Sequence, residues 1–228
     1  MKYFILVLIM FASCTKKGNA GNMSISNNSK DSLIQRSFQD GQADISLQKI
    51  PYSTKDYYKD SLAQKIVPYK QYDYWAYIGV RDGHSGYRHN IIYQHGDTLL
   101  KKTHNIKLAN DDKGFFPGCH PHWCVDYIAA IKDHKTIFIT SEHDLKSFIG
   151  TINNLEEAML IAKMNGYNID YDTRGCSYKL TDKGFEVHLV KYTEYPLQKE
   201  FFKVTINQKG TITVDPTGIV IKGRDALK

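Results

Sequence analysis

Several familiar signatures are missing from this chain. It has no glycine-rich nucleotide loop, no paired catalytic carboxylate motif, no serine elbow and no Cys-x-x-Cys pair, so none of the reactions those patterns serve is indicated. There is no run of Lys and Arg either, although the formal charge is +6. A mild positive balance spread along the chain is not the patch that nucleic acid needs, and no nucleic-acid partner is expected. No internal repeat of fixed period occurs, which sets solenoids and propellers aside. The apolar stretch at the N-terminus, Tyr3 to Phe11, is too short to cross a bilayer as a helix.

That stretch is informative in another way. Lys2 precedes it and the small pair Ala12 and Ser13 closes it directly before Cys14, the charge, apolar run and small-residue order of a secretory signal. Phe11-Ala12-Ser13-Cys14 resembles the lipobox of bacterial lipoproteins, with Phe11 where leucine is commoner. The resemblance implies a leader spanning residues 1–13, acylation (palmitate) of Cys14, and a mature protein held to the membrane by its lipid. Thr15 stands where an Asp can mark inner-membrane retention, so the resemblance leans towards the outer membrane, facing the periplasm. Removing the leader takes away one of the 30 Lys+Arg and none of the 24 Asp+Glu, leaving 29 against 24, or +5.

Residues 14–50 are rich in Gly, Asn, Ser, Asp and Gln and poor in aromatics. Such a segment buries too little apolar surface to offset its ordering entropy and reads as a flexible tether. Residues 51–118 form a tyrosine-rich region whose pattern is β: strands at Tyr72 to Val80, Tyr87 to Gln94 and Thr98 to Ile106, joined by turns, make a meander. Residues 119–228 read as an α+β unit. Strands at Cys124 to Lys132 and Thr136 to Thr140 flank a tight turn at Asp133-His134. A helix follows, capped by Ser141 and ended by Gly150. A second helix runs from Asn154 to Asn165 and stops at Gly166. Strands at Ser177 to Leu180, Phe185 to Tyr192, Phe201 to Asn207 and Thr211 to Val214 complete it. The expected fold class is α+β, antiparallel sheets with two helices packed on the C-terminal sheet.

The helix carrying Ala158 and Ala162, its stop at Gly166-Tyr167, the Gly184-Phe185-Glu186-Val187 strand start and the Lys203-Val204-Thr205-Ile206 hairpin arm loosely resemble a PepSY-type or cystatin-like module. The likeness covers about Asn154 to Asp215. It implies an envelope unit that binds or restrains a partner instead of catalysing.

Three cysteines remain once Cys14 is committed to lipid: Cys119, Cys124 and Cys176. In an oxidising compartment they permit one disulfide and one leftover thiol, with the pairing left open between Cys119–Cys124 and a bridge to Cys176. The alternative is a Zn or Cu site. His120 and His122 point to one side of an extended strand and, with Cys119 and Cys124, offer four borderline ligands. A third reading makes Cys124 or Cys176 a nucleophile with His120, His122 or His188 as base. Tyr74, Trp75, Tyr77, Tyr87 and Tyr93 are candidate ligand-binding rings, since aromatic faces stack on sugars and peptides; strand aromatics more often fill a core. Together these features favour a lipid-anchored module for an envelope protein, peptide or glycan partner, with no resident cofactor, over a metal or thiol chemistry centred on Cys119 to Cys124.

Overall fold

The fold was analysed in a computed structural model that describes residues 47–52, 58–82, 86–109, 113–118 and 124–227. The leader, Cys14 and most of the tether lie outside the described residues, as do Cys119, His120 and His122. Among the described residues the protein is α+β, with two antiparallel sheets and four α-helices. No helix among them is long and apolar enough to cross a membrane.

The first sheet is built from β2 (Tyr74–Arg81), β3 (Arg88–Gly96), β4 (Phe115–Gly118), β5 (Cys124–Lys132) and β6 (Lys135–Ile139). Its order is β3-β2-β5-β4, and β6 pairs with the other end of β5. Both central strands are apolar almost throughout, Tyr-Trp-Ala-Tyr-Ile-Gly-Val in β2 and Cys-Val-Asp-Tyr-Ile-Ala-Ala-Ile in β5, because both faces of this sheet are covered. Trp75, Tyr77, Ile128 and Ala130 face the main core. Tyr74, Ala76, Ile78, Val125, Tyr127 and Ala129 form a second core on the opposite face, under Leu100, Ile106 and Leu108.

That cover replaces an expected strand. Thr98 to Ile106 is not the third member of a meander but a turn followed by α2 (Leu100–Thr103). Asp97 accepts the Leu99 N–H through its side chain at 2.9 Å, which starts the turn. The Tyr127 hydroxyl then donates to the Ile106 carbonyl at 2.8 Å and accepts the Leu108 N–H at 3.2 Å, pinning the segment across the sheet. The place beside β2 goes to β5, in register from Tyr74 opposite Ile131 to Arg81 opposite Cys124. The expected boundary between residues 51–118 and 119–228 therefore runs through a sheet, because β5 and β6 complete the hydrogen bonding of the tyrosine-rich strands. Ile45–Lys228 form one compact unit.

The second sheet has the order β1-β7-β8-β9-β10, from β1 (Gln48–Lys49), β7 (Ser177–Thr181), β8 (Gly184–Glu194), β9 (Leu197–Asn207) and β10 (Ile212–Lys222). Its first strand corrects the extent of the tether. Gln48 and Lys49 pair with Tyr178 and Ser177, and Ile50 is buried in the main core, so the chain is committed to the fold before residue 51.

Between the sheets lie α3 (Glu142–Ile149) and α4 (Leu155–Met164); α1 (Tyr58–Ala63) packs against α4. Ser141 caps α3 through the Asp144 N–H at 3.1 Å, and Asn154 caps α4 through the Glu157 N–H at 2.8 Å. The face of α4 with Leu155, Ala158, Met159 and Ala162 joins Trp75 and Ile128 of one sheet to Val187, Leu189, Val204 and Ile206 of the other. Burial extends all round this helix, including Leu160, Ile161 and Glu157. Glu157 is tolerated there because its carboxylate accepts the N–H groups of Val67 and Asn153, each at 2.9 Å.

Candidate functional site

Strand alternation gives the second sheet an inner face, with Val187, Leu189, Val204 and Ile206, and an outer face with Glu186, His188, Val190, Tyr192, Lys199, Phe201 and Lys203. Val190 and Phe201 are fully buried although they face away from the helices. The segment 168–176, between α4 and β7, covers them. Asn168 bridges to Val190 along the edge of β8, and a 3₁₀ turn at Thr173–Gly175 brings the backbone down onto the sheet. A Cβ on Gly175 would lie 2.7 Å from Val190 Cγ1 and 3.3 Å from Phe201 Cε1, so the approach requires glycine.

This cover carries charge into a dry place. Asp170 and Lys199 are both buried, with Lys199 Nζ 2.7 Å from Asp170 Oδ2. That oxygen has the ion pair but no hydrogen bond of good geometry, while Oδ1 accepts the Tyr171 N–H at 2.7 Å and the Tyr192 hydroxyl at 3.4 Å. Burial and the neighbouring Asp170 charge push the Tyr192 phenol up to about 12. Asp172 and Arg174 form a tight bidentate pair beside it; the side-chain bonds from Arg174 hold the Asp172 carboxyl below the usual range. The Arg174 guanidinium lies 5.0 Å over the Phe201 ring.

Next to the ion pair opens a cavity of about 380 Å³, walled on one side by Lys49, Pro51 and Tyr52 and on the other by Asp170, Tyr171 and Cys176. Tyr171 is 58% exposed, and Tyr192 and Tyr195 add further open rings in and beyond β8. Tyr52 is fixed by its hydroxyl, which donates to Glu156 at 2.5 Å.

The ring candidates from the sequence fall elsewhere. Tyr74, Trp75 and Tyr77 are core side chains, and Trp75 is only 2% exposed. Covering both faces of the first sheet buries all three rings, and of them Trp75 alone reaches a cavity wall. Tyr93 packs on Trp75 with centroids 5.2 Å apart beside a cavity of about 340 Å³ that both residues line. Tyr87 is exposed.

The cysteine readings also separate. Cys176 is a free thiol buried in the main core, with its sulfur 3.8 Å from the Ile50 carbonyl, which corrects any bridge to Cys176. Burial pushes this thiol up, the wrong direction for a nucleophile. His188 stands opposite Ser177 on the outer face and pairs with Glu186 at 3.2 Å, while Cys176 points the other way into the core. Cys124 is disulfide-bonded, which takes its sulfur out of the Zn or Cu ligand set. Among the described residues no group of three His, Cys, Asp or Glu side chains is placed to hold a metal. Beside Cys124, Asp126 is fully buried; Tyr77 donates to it at 3.0 Å and Arg81 at 3.1 Å.

Comparison with protein-family models, curated proteins and solved structures finds no match.

Sequence reasoning missed Asp170, Tyr171, Tyr192, Lys199, Lys49 and Tyr52 as a group. A tyrosine set between two aspartates at 170–172, in a connection where small turn residues are usual, was the available signal.

Proposed function

We propose that this chain is a cell-envelope lipoprotein, anchored through Cys14 to the outer membrane on its periplasmic side, whose folded domain binds a protein, peptide or glycan partner. The leader-like N-terminus and the Phe11-Ala12-Ser13-Cys14 segment support the address. The observation that carries the binding reading is a surface at the edge and outer face of the second sheet: open tyrosines, Tyr171 above all, beside a cavity walled by Lys49, Pro51, Tyr52 and Tyr171. Exposed tyrosine supplies rigid amphipathic contact area at little entropic cost, and convergent polar groups give such a surface direction. In the same reading Cys119 is the disulfide partner of Cys124, since Cys14 is committed to lipid and Cys176 is free.

Two measurements test it. Mass analysis of the chain made in a bacterial host should find Cys14 acylated as the first residue, and Cys14→Ser should release the protein from the membrane fraction. Hydrogen exchange on the mature protein, with and without solubilised envelope components, should show protection confined to residues 48–52 and 168–176. An unprocessed cytoplasmic chain defeats the address. Protection elsewhere, or none, defeats the binding surface.

A further inference from the structure

The cavity of about 340 Å³ beside Trp75 and Tyr93 shares no residue with the one at Tyr171. One wall is the turn after α1, from Gln64 to Pro68; the other is the β2–β3 pair, where Trp75 stands opposite His95. Both walls are fixed before any ligand arrives. The Val67 N–H donates to the buried Glu157 carboxylate at 2.9 Å, the Lys65 carbonyl accepts the Asn154 amide N–H at 3.1 Å, and Ile66 is seated in the main core. Ile66 and Trp75 are buried, so the apolar surface a ligand would touch is Val67, 59% exposed, with half-buried Pro68 and Tyr93. The polar groups belong to exposed residues, Gln64, Lys65 and His95. Among the described residues neither the Lys65 ammonium nor the His95 ring has a hydrogen bond or an ion pair, and no Asp or Glu lines the cavity.

That combination selects by charge. A cation would meet the Lys65 ammonium with no carboxylate to offset it, and a polyhydroxyl ligand would leave hydroxyls unpaired against Val67, Pro68 and Tyr93. A carboxylate on a small apolar body satisfies both sets of groups: it accepts from the ammonium and from an imidazole N–H, while the body covers the apolar wall. We infer that this cavity is a binding site for a small apolar carboxylate, its ring or branched chain seated against Tyr93, Val67 and Pro68 and its charge held by Lys65 and His95. A volume of about 340 Å³ is near the lower end of the range for small-molecule sites, which suits a body of one ring. Tyr93, with Trp75 packed against it, is then a ligand-facing ring on the first sheet. The inference goes beyond the partner surface at Tyr171 by adding a second site. Dialysed envelope components, free of small acids, keep the tests of the two sites apart.

The test uses the full chain with phenylacetate, and with phenylacetamide and phenethylammonium as counter-probes of similar body. Saturation-transfer NMR should show phenylacetate bound, the amide about tenfold weaker and the ammonium not at all. Lys65→Met removes the charge and keeps the length of the side chain, so it should weaken phenylacetate about tenfold and leave the amide unchanged. Val67→Ser, at an exposed position, should weaken acid and amide alike. Lys49→Met, in the other cavity, should change nothing. Equal binding of acid and amide overturns the inference, because charge then selects nothing. Phenylacetate that ignores both Lys65→Met and Val67→Ser, or is lost with Lys49→Met, overturns the site, and absence of phenylacetate binding overturns both. None of these results bears on protection of residues 48–52 and 168–176, which remains the measure of the Tyr171 surface.

Discussion

Lys199 Nζ lies 2.7 Å from Asp170 Oδ2 with the two side chains 4% and 1% exposed, so this ion pair joins β9 to the 168–176 connection almost without water. Desolvating two charges is costly, and what makes the pair tolerable is each partner's presence. Lys199→Met should therefore destabilise the protein by about 3–5 kcal/mol, because Asp170 is left as a buried charge. Adding Asp170→Asn to that variant should restore part of the loss. Urea unfolding of the two singles and the double checks this; additive losses would mean that the pair is not coupled.

Tyr192 provides a pH signature. Its phenol is pushed up to about 12 by burial and by Asp170, above the ordinary value near 10. The folded state thus keeps a proton that the unfolded chain has already released. Stability associated with this group is fully present below pH 10 and is lost as pH rises towards 12. Burial also raises Tyr52, Tyr72 and Tyr74, so ultraviolet titration should find a late-ionising group of tyrosines that loses one member in Tyr192→Phe, and the alkaline loss of stability should be shallower in that variant.

Glu157 titrates in the acid range with the same sign. Burial raises its carboxyl above the ordinary value, against the pull of the backbone N–H groups it accepts. Proton uptake is therefore easier in the folded state, and its contribution weakens as pH climbs from the ordinary carboxylate value through the raised one. Glu157→Gln turns one acceptor towards the N–H of Val67 or Asn153 into a donor and should cost about 1–3 kcal/mol. The gap to the wild type, followed by urea unfolding at stepped pH, should narrow as pH rises.

Gly175→Ala should lift the connection from the sheet. The added methyl would sit 2.7 Å from Val190 Cγ1 and 3.0 Å from Asp170 Cβ. Overpacking of this kind costs about 1–3 kcal/mol. Hydrogen exchange should show the loss concentrated at the Asp170 N–H, which bonds the Gly175 carbonyl at 2.9 Å, and at the Asn168–Val190 bridge.

The cysteines divide by accessibility. Cys176 is buried with its thiol pushed up by desolvation, so it should resist alkylation in the native protein and label promptly in denaturant. Peptide mapping after each treatment reads this directly. Rapid native labelling at Cys176 would mean that the β1 segment opens easily.

What could be read in the chain alone is whatever adjacent residues decide among themselves. The Ser141 and Asn154 caps, the glycine stops at 150 and 166, and the tight turn at Asp133-His134, where both residues have positive φ, are local hydrogen-bond and backbone choices that sequence states openly. So was the α+β class, which follows from where the two periodicities occur. Tertiary structure decided the rest, because neither strand partners nor burial on a second face are local. Tyr74, Trp75 and Tyr77 look the same to a sequence whether their sheet is covered once or twice, and only the helices packed over Trp75 and Tyr77 on one face, with Leu100 and Ile106 over Tyr74 on the other, turned candidate binding rings into core. Asp170 and Lys199, twenty-nine positions apart by their numbers, became a buried pair only when the 168–176 connection folded across the outer face of β8 and β9. The free energy of a charge depends on the dielectric around it, and that is set by atoms from distant parts of the chain.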